Sequence, residues 1–203
     1  MLVTGIKSKP VYAPLQADSD GRYHLMLGLG SGGGALLRVL AELQTEAPHA
    51  LKNTQVLLVP TDCDAETLAP FEAPKLSGLR LFDDSQALLQ EFRAVLTRSL
   101  MGTRLYVAGP ESFIGLAMKI ALEFNLNKDE VRAEELGSLA RRVYCIHCRA
   151  TTENVRTNIV RCIDCERWLL VRDHYSRRLA AYMGVMADAE APGELPPVKE
   201  VFA

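Results

Sequence analysis

The chain reads as an α/β protein: a doubly wound, mainly parallel sheet followed by a small zinc-ribbon module. Three observations predict this. Short apolar runs alternate with segments of helical period, a glycine-rich turn joins the first run to the first helical segment, and beyond them four cysteines stand in the spacing C-x2-C-x13-C-x2-C.

Residues 1–22 carry Pro10, Pro14 and Gly21 without periodicity and are expected to form an N-terminal arm. Tyr23 to Gly28 is a short apolar strand, followed by the turn LGLGSGGG and a Leu- and Ala-rich helix from about Ala35 to Gln44. TQVLLVP is a second strand, stopped by Pro60 and apolar enough to be buried on both faces of a parallel sheet. LRLF supplies a third strand. A helix over Ser85 to about Leu100 follows, with Leu88, Leu89, Phe92, Val95 and Leu96 at helical spacing. TRLYVAG is the fourth strand, and SFIGLAMKIALEFN is a helix with a broad apolar surface. Right-handed crossovers between such units build the sheet. The pattern changes after Glu134 and Glu135, so the α/β domain is expected to cover 23–137 and the cysteine module 138–186, with 187–203 an acidic, proline-containing tail.

Composition narrows the function classes. The chain has 203 residues, 48% apolar and 24% charged, ordinary values for a folded globular protein. A formal net charge of −2 argues against nucleic acid as the main partner, because phosphate binding draws on a clustered positive excess. No stretch reaches the roughly 18 apolar residues of a membrane span, and MLVTGIKSKPVY lacks a signal-like apolar region, so a cytoplasmic location is expected. In that reducing setting the cysteines stay thiols, and metal binding is favoured over disulfides.

Gly28, Gly30 and Gly33 satisfy G-x-G-x-x-G between a strand and a helix. Glycines there let a backbone approach a pyrophosphate, whose charge meets the amides and dipole of the helix N-terminus. The other reading is a tight crossover turn that binds nothing. The second strand ends in VPTDCDAE, where Asp62 can accept from a ribose 2′-hydroxyl but would repel a 2′-phosphate, so a nicotinamide nucleotide read from this loop is NADH. Cys63 lies in acidic surroundings that raise a thiol pKa, and it is expected to be incidental.

Cys145, Cys148, Cys162 and Cys165 are the metal candidates. A two-residue gap lets both thiolates of a pair reach one ion, and thirteen intervening residues fit two knuckles joined by a β-hairpin, giving a closed tetrahedral sulfur site. Structural Zn2+ is expected. A rubredoxin-like iron has the same ligand set, but Arg149 and Glu166 stand where its knuckles carry glycine. His147, inside the first pair, is expected to face solvent. Arg172, His174, Arg177 and Arg178 beside Trp168 and Tyr175 form either a nucleic-acid patch or a subunit-docking surface.

The order LGLGSGGG, YVAGPESFIGLAMKIALEFN, VRAEELG resembles the nucleotide-binding half of ferredoxin reductase-type flavoproteins. In that family a Cys-Gly-Pro motif lies against the nicotinamide. Here Gly109 and Pro110 match it and Ala108 replaces the cysteine. The flavin barrel of the family has no counterpart in the 22 residues before the first strand, so the resemblance implies flavin on another chain.

GSLARRVYCIHCRATTENVRTNIVRCIDCERWLLVRDHYSRRLAAYMGVMADAEAPGE, with GIKSKPVY and the glycine turn, resembles the DmmA-type small subunit of bacterial dimethylamine monooxygenases. That resemblance implies a subunit of a haem-containing complex converting dimethylamine to methylamine and formaldehyde with NADPH and O2. Haem, flavin and an iron–sulfur centre would then lie on partner subunits, and this chain would carry no catalytic residue. Its role would be assembly, nucleotide binding at the glycine turn, or completion of the reductase in trans with Gly109 and Pro110 facing the nicotinamide. The competing class is a free-standing zinc-ribbon nucleic-acid binder.

Overall fold

The computed structural model describes residues 8–60, 69–72 and 76–203. Asp62 and Cys63 lie outside the described residues. The chain divides into two compact units, Tyr12–Gly137 and a second that joins the segment ending at Val11 to Ser138–Ala203. No helix among the described residues is long and apolar enough to cross a membrane.

The first unit is a five-stranded parallel sheet of β1 (Tyr23–Leu29), β2 (Thr54–Val59), β3 (Gly78–Leu81), β4 (Thr103–Gly109) and β5 (Val131–Glu135), in the order β3-β2-β1-β4-β5. The order reverses between β1 and β4, which places a crevice at the carboxyl ends of those two strands.

The apolar runs divide by parity, as the pleat requires. Met26, Val56, Leu58, Tyr106 and Ala108 pack with α1 (Gly32–Glu46) on one face. Leu25, Leu27, Leu57, Val59, Leu105 and Val107 pack with α2 (Ser85–Leu96) and α3 (Glu111–Glu123) on the other. Burying both faces of β1, β2 and β4 is why these strands read as continuous apolar runs rather than alternating ones.

Two helix boundaries differ from the sequence reading. Helix α1 begins at Gly32, not near Ala35: three of the glycines lie in its first turn, where they carry no side chain to mark a period. Helix α2, capped by the Asp84 carboxylate accepting from the Ala87 amide at 2.8 Å, ends at Leu96 rather than Leu100. Leu100 and Met101 are exposed on the turn into β4.

Tyr12 packs against the α2 and α3 face, and the chain from Leu15 onward runs over the α1 face. Leu15 is buried in that core, and its amide donates to Glu134 Oε2 at 2.6 Å, while the amides of Ala17 and Asp18 donate to Glu42 and to the Tyr106 hydroxyl. Beneath this strap lies a polar group that the strands assemble by register, His24 opposite Arg104 and Tyr106 opposite Arg132. Buried His24 reaches the Tyr106 hydroxyl at 3.2 Å and the Gly21 carbonyl at 3.1 Å, and Asp18 accepts from Arg104 at 2.8 Å and Arg132 at 2.9 Å. Burial holds the His24 ring below its usual pKa and pushes the Tyr106 hydroxyl up to about 12, so both are neutral at physiological pH.

The second unit is a five-stranded sheet of β6 (Arg141–Cys145), β7 (Thr151–Val155), β8 (Ile159–Arg161), β9 (Trp168–Ser176) and β10 (Ala181–Met186), in the order β7-β6-β10-β9-β8. Strands β6 and β10 are parallel and the other neighbours antiparallel. Strand β8 covers only Trp168–Leu170 of β9. The exposed remainder of that edge is met by Asn158, whose carbonyl accepts from Val171, and by Ser8, which bonds to both Asp173 and Tyr175.

Residues 187–203 do not simply trail away. Val201 and Phe202 donate to the Arg156 carbonyl, Lys199 and Asn158 bond reciprocally, and the Phe202 ring closes over Arg141. The buried Arg141 guanidinium lies 3.9 Å from the Tyr182 centroid and 3.8 Å from that of Phe202, and it bonds Asp173 at 2.8 Å.

Candidate functional site

The four cysteines come together. Their sulfurs all lie within 4.8 Å of one another, with Cys145 and Cys165 at 3.7 Å and Cys148 and Cys162 at 3.5 Å. A tetrahedral zinc–thiolate site with bonds of about 2.3 Å separates its sulfurs by about 3.8 Å, so the donor set fits one ion of that size. Among the described residues the cluster takes in these four cysteines and not His147, which is exposed.

The architecture behind this differs from two knuckles joined by one β-hairpin. Strands β7 and β8, which both lie within the thirteen-residue spacer, stand at opposite ends of the strand order. Instead each cysteine pair tips its own hairpin, the first between β6 and β7 and the second between β8 and β9, and β10 ties the two hairpins together.

Each knuckle is a tight backbone turn. The Arg149 amide donates to the Cys145 carbonyl at 2.9 Å, and the Cys145 and Cys162 amides donate to Ala150 and Arg167. Arg149 (φ 70°) and Glu166 (φ 59°) both take the left-handed conformation that glycine adopts without strain. At about 1 kcal/mol each, these non-glycine residues still complete the turn, so the missing glycines do not separate zinc from iron. Gly184 on β10 pairs with Cys145 and accepts from the Ile146 amide, seating the first knuckle.

The thiols are electrostatically unequal. The Arg167 amide donates to Cys165 and, against burial and together with the Arg167 side chain and the neighbouring thiols, lowers its pKa to about 6. The Ala150 amide likewise favours the Cys148 thiolate, but burial and the other three sulfurs outweigh it and push Cys148 up to about 12. Four thiolates this close require a cation to be ionised together. With all four positions of a tetrahedron filled by protein, such an ion has no open position for substrate.

The glycine turn is a site of close packing. Gly30 sits in the turn (φ 58°), and its amide donates to the Val59 carbonyl at the end of β2. A Cβ on Gly32 would lie 2.1 Å from the Ala108 carbonyl oxygen, so α1 touches the backbone of β4 there. Gly28 faces Leu36 and Leu58, and the Gly33 and Gly34 amides turn back onto the carbonyls of Gly30 and Ser31. A pyrophosphate would therefore have to be met by the amides of Ser31 and Gly32. Across the crevice, Gly109 abuts Leu29 and Phe113, and Pro110 opens α3, whose first turn holds the buried Glu111. A cavity of about 380 Å³ lies at the opposite, amino-terminal edge of the sheet, lined by Tyr23, His24, Lys52, Gln55 and Arg98 among others.

Sequence reasoning missed the polar group of Asp18, His24, Arg104, Tyr106 and Arg132. Its signal was a histidine and an arginine, His24 and Arg104, inside otherwise apolar strands. In the basic segment, Tyr175 is buried edge-on against Tyr182 at 5.0 Å, while Arg177 and Arg178 lie in the turn between β9 and β10, away from the cysteines.

The chain thus joins a parallel sheet of dinucleotide-fold strand order to a module whose four cysteines could hold one metal ion. The chain belongs to the family of DmmA-like dimethylamine monooxygenase subunits. The family's N-terminal domain matches residues 4–131 and its C-terminal domain residues 142–185. A curated relative, the heme-dependent oxidative N-demethylase delta subunit of Ectopseudomonas mendocina (strain ymp), is 35% identical over 92 residues, 45% of this chain and 53% of that protein. The match thus spans about half of that relative's length. Among solved structures, phthalate dioxygenase reductase aligns with a TM-score of 0.48 at 14% identity, covering 68% of this chain and 45% of that one. The ferredoxin reductase of carbazole 1,9a-dioxygenase aligns with a TM-score of 0.47 at 17% identity, covering 57% and 38%.

Proposed function

We propose that the chain is an accessory subunit of a multisubunit, haem-dependent oxidative N-demethylase, acting on dimethylamine with NADPH and O2, and that its work is assembly. The observation that carries this reading is the family match, which takes in both the sheet and the cysteine module. Zinc is the proposed ion, held by Cys145, Cys148, Cys162 and Cys165 for the stability of the module. Haem, flavin and an iron–sulfur centre are assigned to the partner subunits. The glycine turn is assigned to helix–strand packing, because the Gly30, Gly33 and Gly34 amides bond within the protein and α1 touches β4 at Gly32.

Co-expression with the partner subunits tests the reading. A stable complex that retains the chain and shows a haem Soret band is expected, with one zinc per chain and no saturable NADH or NADPH binding by the chain alone. Iron with a thiolate charge-transfer spectrum would replace assembly by electron transfer. Saturable nucleotide binding lost in Gly30→Val would support a second reading, in which the chain completes the reductase in trans at Gly28, Gly30, Gly33, Gly109 and Pro110, with Asp62 on the ribose. Salt-dependent binding of DNA or RNA by the chain alone would favour the nucleic-acid alternative.

A further inference from the structure

Each cysteine pair carries an isoleucine directly after its first cysteine, Ile146 in Cys-Ile-His-Cys and Ile163 in Cys-Ile-Asp-Cys. Both are exposed, at 49% and 73%, and Trp168, three residues past Cys165, is 40% exposed. The four sulfurs lie within 4.8 Å of one another, so the two knuckles hold these isoleucines beside a single cluster. Three large apolar side chains left in water at one end of a small module are a cost that an interface removes.

The module that carries them has a specific charge. Between Ser138 and Met186 there are nine arginines, no lysine and four carboxylates. Three of those carboxylates are taken up inside the unit, Asp173 by Arg141, Glu153 by Arg142 and Glu166 by Arg161. Arg149 and Arg167, one beside each knuckle, are exposed, and the Arg167 side chain also bonds Cys165. Arginine is weakly hydrated and pairs with carboxylates bidentately, so it suits an interface rim better than lysine would.

We infer that the knuckle end of the four-cysteine module is the docking face for another subunit of the complex, and that the complementary face is apolar at its centre and rimmed by Asp and Glu. This rests on the assembly reading above and identifies the surface that performs it. Nucleic acid fits the same charge less well. Two isoleucines at the centre offer nothing to phosphate, and Tyr175, the other aromatic of the basic segment, is buried.

The test uses the full chain co-expressed with the haem-bearing and flavin/iron–sulfur subunits, reading the amount of this chain retained in the Soret-absorbing complex. Ile163→Asp is expected to lower the affinity about tenfold or more, as loss of an interface anchor does, with metal content per chain unchanged. Arg149→Glu is expected to do the same, and wild-type association should weaken with salt. Leu122→Asp, at an exposed apolar position on α3, should leave retention unchanged. Undiminished retention of Ile163→Asp with its metal intact would overturn the docking face alone and leave the subunit reading standing. So would self-association of the purified chain that Ile163→Asp abolishes, or salt-dependent RNA or DNA binding that it abolishes. If the wild-type chain fails to join the complex, both readings fall.

Discussion

Gly32 and Gly34 lie two residues apart in the first turn of α1, yet the same added methyl group should act on them with opposite sign. At Gly32 the new Cβ would fall 2.1 Å from the Ala108 carbonyl oxygen and 2.5 Å from its carbon, both backbone atoms that no rotamer change can move. Relief requires α1 to retreat from β4 by about 1 Å, and a gap of that size forfeits a quarter to a half of the dispersion energy along the contact. The buried face that loosens includes Ala35, Leu36 and Val39. Gly32→Ala should therefore cost about 3 kcal/mol or more, the upper end of overpacking, which lowers the melting temperature by roughly 10 °C. At Gly34 nothing lies within 4 Å of the added atom, and alanine restricts the unfolded chain. Gly34→Ala should stabilise by about 0.5–1 kcal/mol, or roughly 2–4 °C. Helical circular dichroism is the right probe, because α1, α2 and α3 all belong to the α/β unit. The single tryptophan, Trp168, reports on the cysteine unit and should melt unchanged in both variants. Equal stability of Gly32→Ala and wild type, or destabilisation by Gly34→Ala comparable to that by Gly32→Ala, would refute the packing argument.

Further expectations concern the other parts of the molecule. Removing the metal with a chelator, or replacing Cys162 with serine, should cost the cysteine unit several kcal/mol, seen as loss of the Trp168 transition while the helical signal persists. Arg141→Lys keeps the charge but not the planar group between Tyr182 and Phe202, so it should still destabilise that unit by about 1–2 kcal/mol by the same fluorescence. The Asp18 carboxyl is opposed by burial, but Arg132 and Arg104 hold it below the usual carboxylate range. A depressed folded pKa means that its contribution is present above the unfolded pKa of about 3.9 and is lost as pH falls through the folded value. Asp18→Asn should accordingly cost about 1–2 kcal/mol at neutral pH, kept modest because Arg132 is 40% exposed, and should flatten the acid limb of helical stability. An unaltered acid limb would show that the ion pairs contribute nothing.

The parts legible in the sequence were those with a periodic signal or a fixed spacing. Strands buried on both faces announce themselves by unbroken apolar runs, and β2 and β4 end where TQVLLVP and TRLYVAG place them. The cysteine spacing located the sulfur cluster because two thiolates with two residues between them reach one ion. Signals without a side chain or a period were lost. Gly32 gives a helical pattern nothing to count, so α1 was read as beginning late. Leu100 continues the spacing of α2 on paper, but the chain is already turning toward Gly102. The pairing of β6 with β10 joins segments about forty residues apart, and no local pattern encodes it. Arg149 and Glu166 occupy the left-handed turn that composition alone would reserve for glycine. The strap from Leu15 onward was invisible for a further reason: its anchors are main-chain amides that meet Glu42, Tyr106 and Glu134 only in the folded state.

Ser8 closes an edge of the cysteine unit although the whole α/β unit, Tyr12–Gly137, lies between it and the rest of that sheet in the chain. The α/β unit is contiguous and can mature on the ribosome while the cysteines are still being made. The cysteine unit must wait for its last strands and then recruit a segment that precedes the α/β unit in the chain. A metal held by the four cysteines would thus be captured late in biogenesis. A cysteine unit expressed by cutting the gene at Ser138 would emerge with an unfinished β9 edge, even with zinc in abundance.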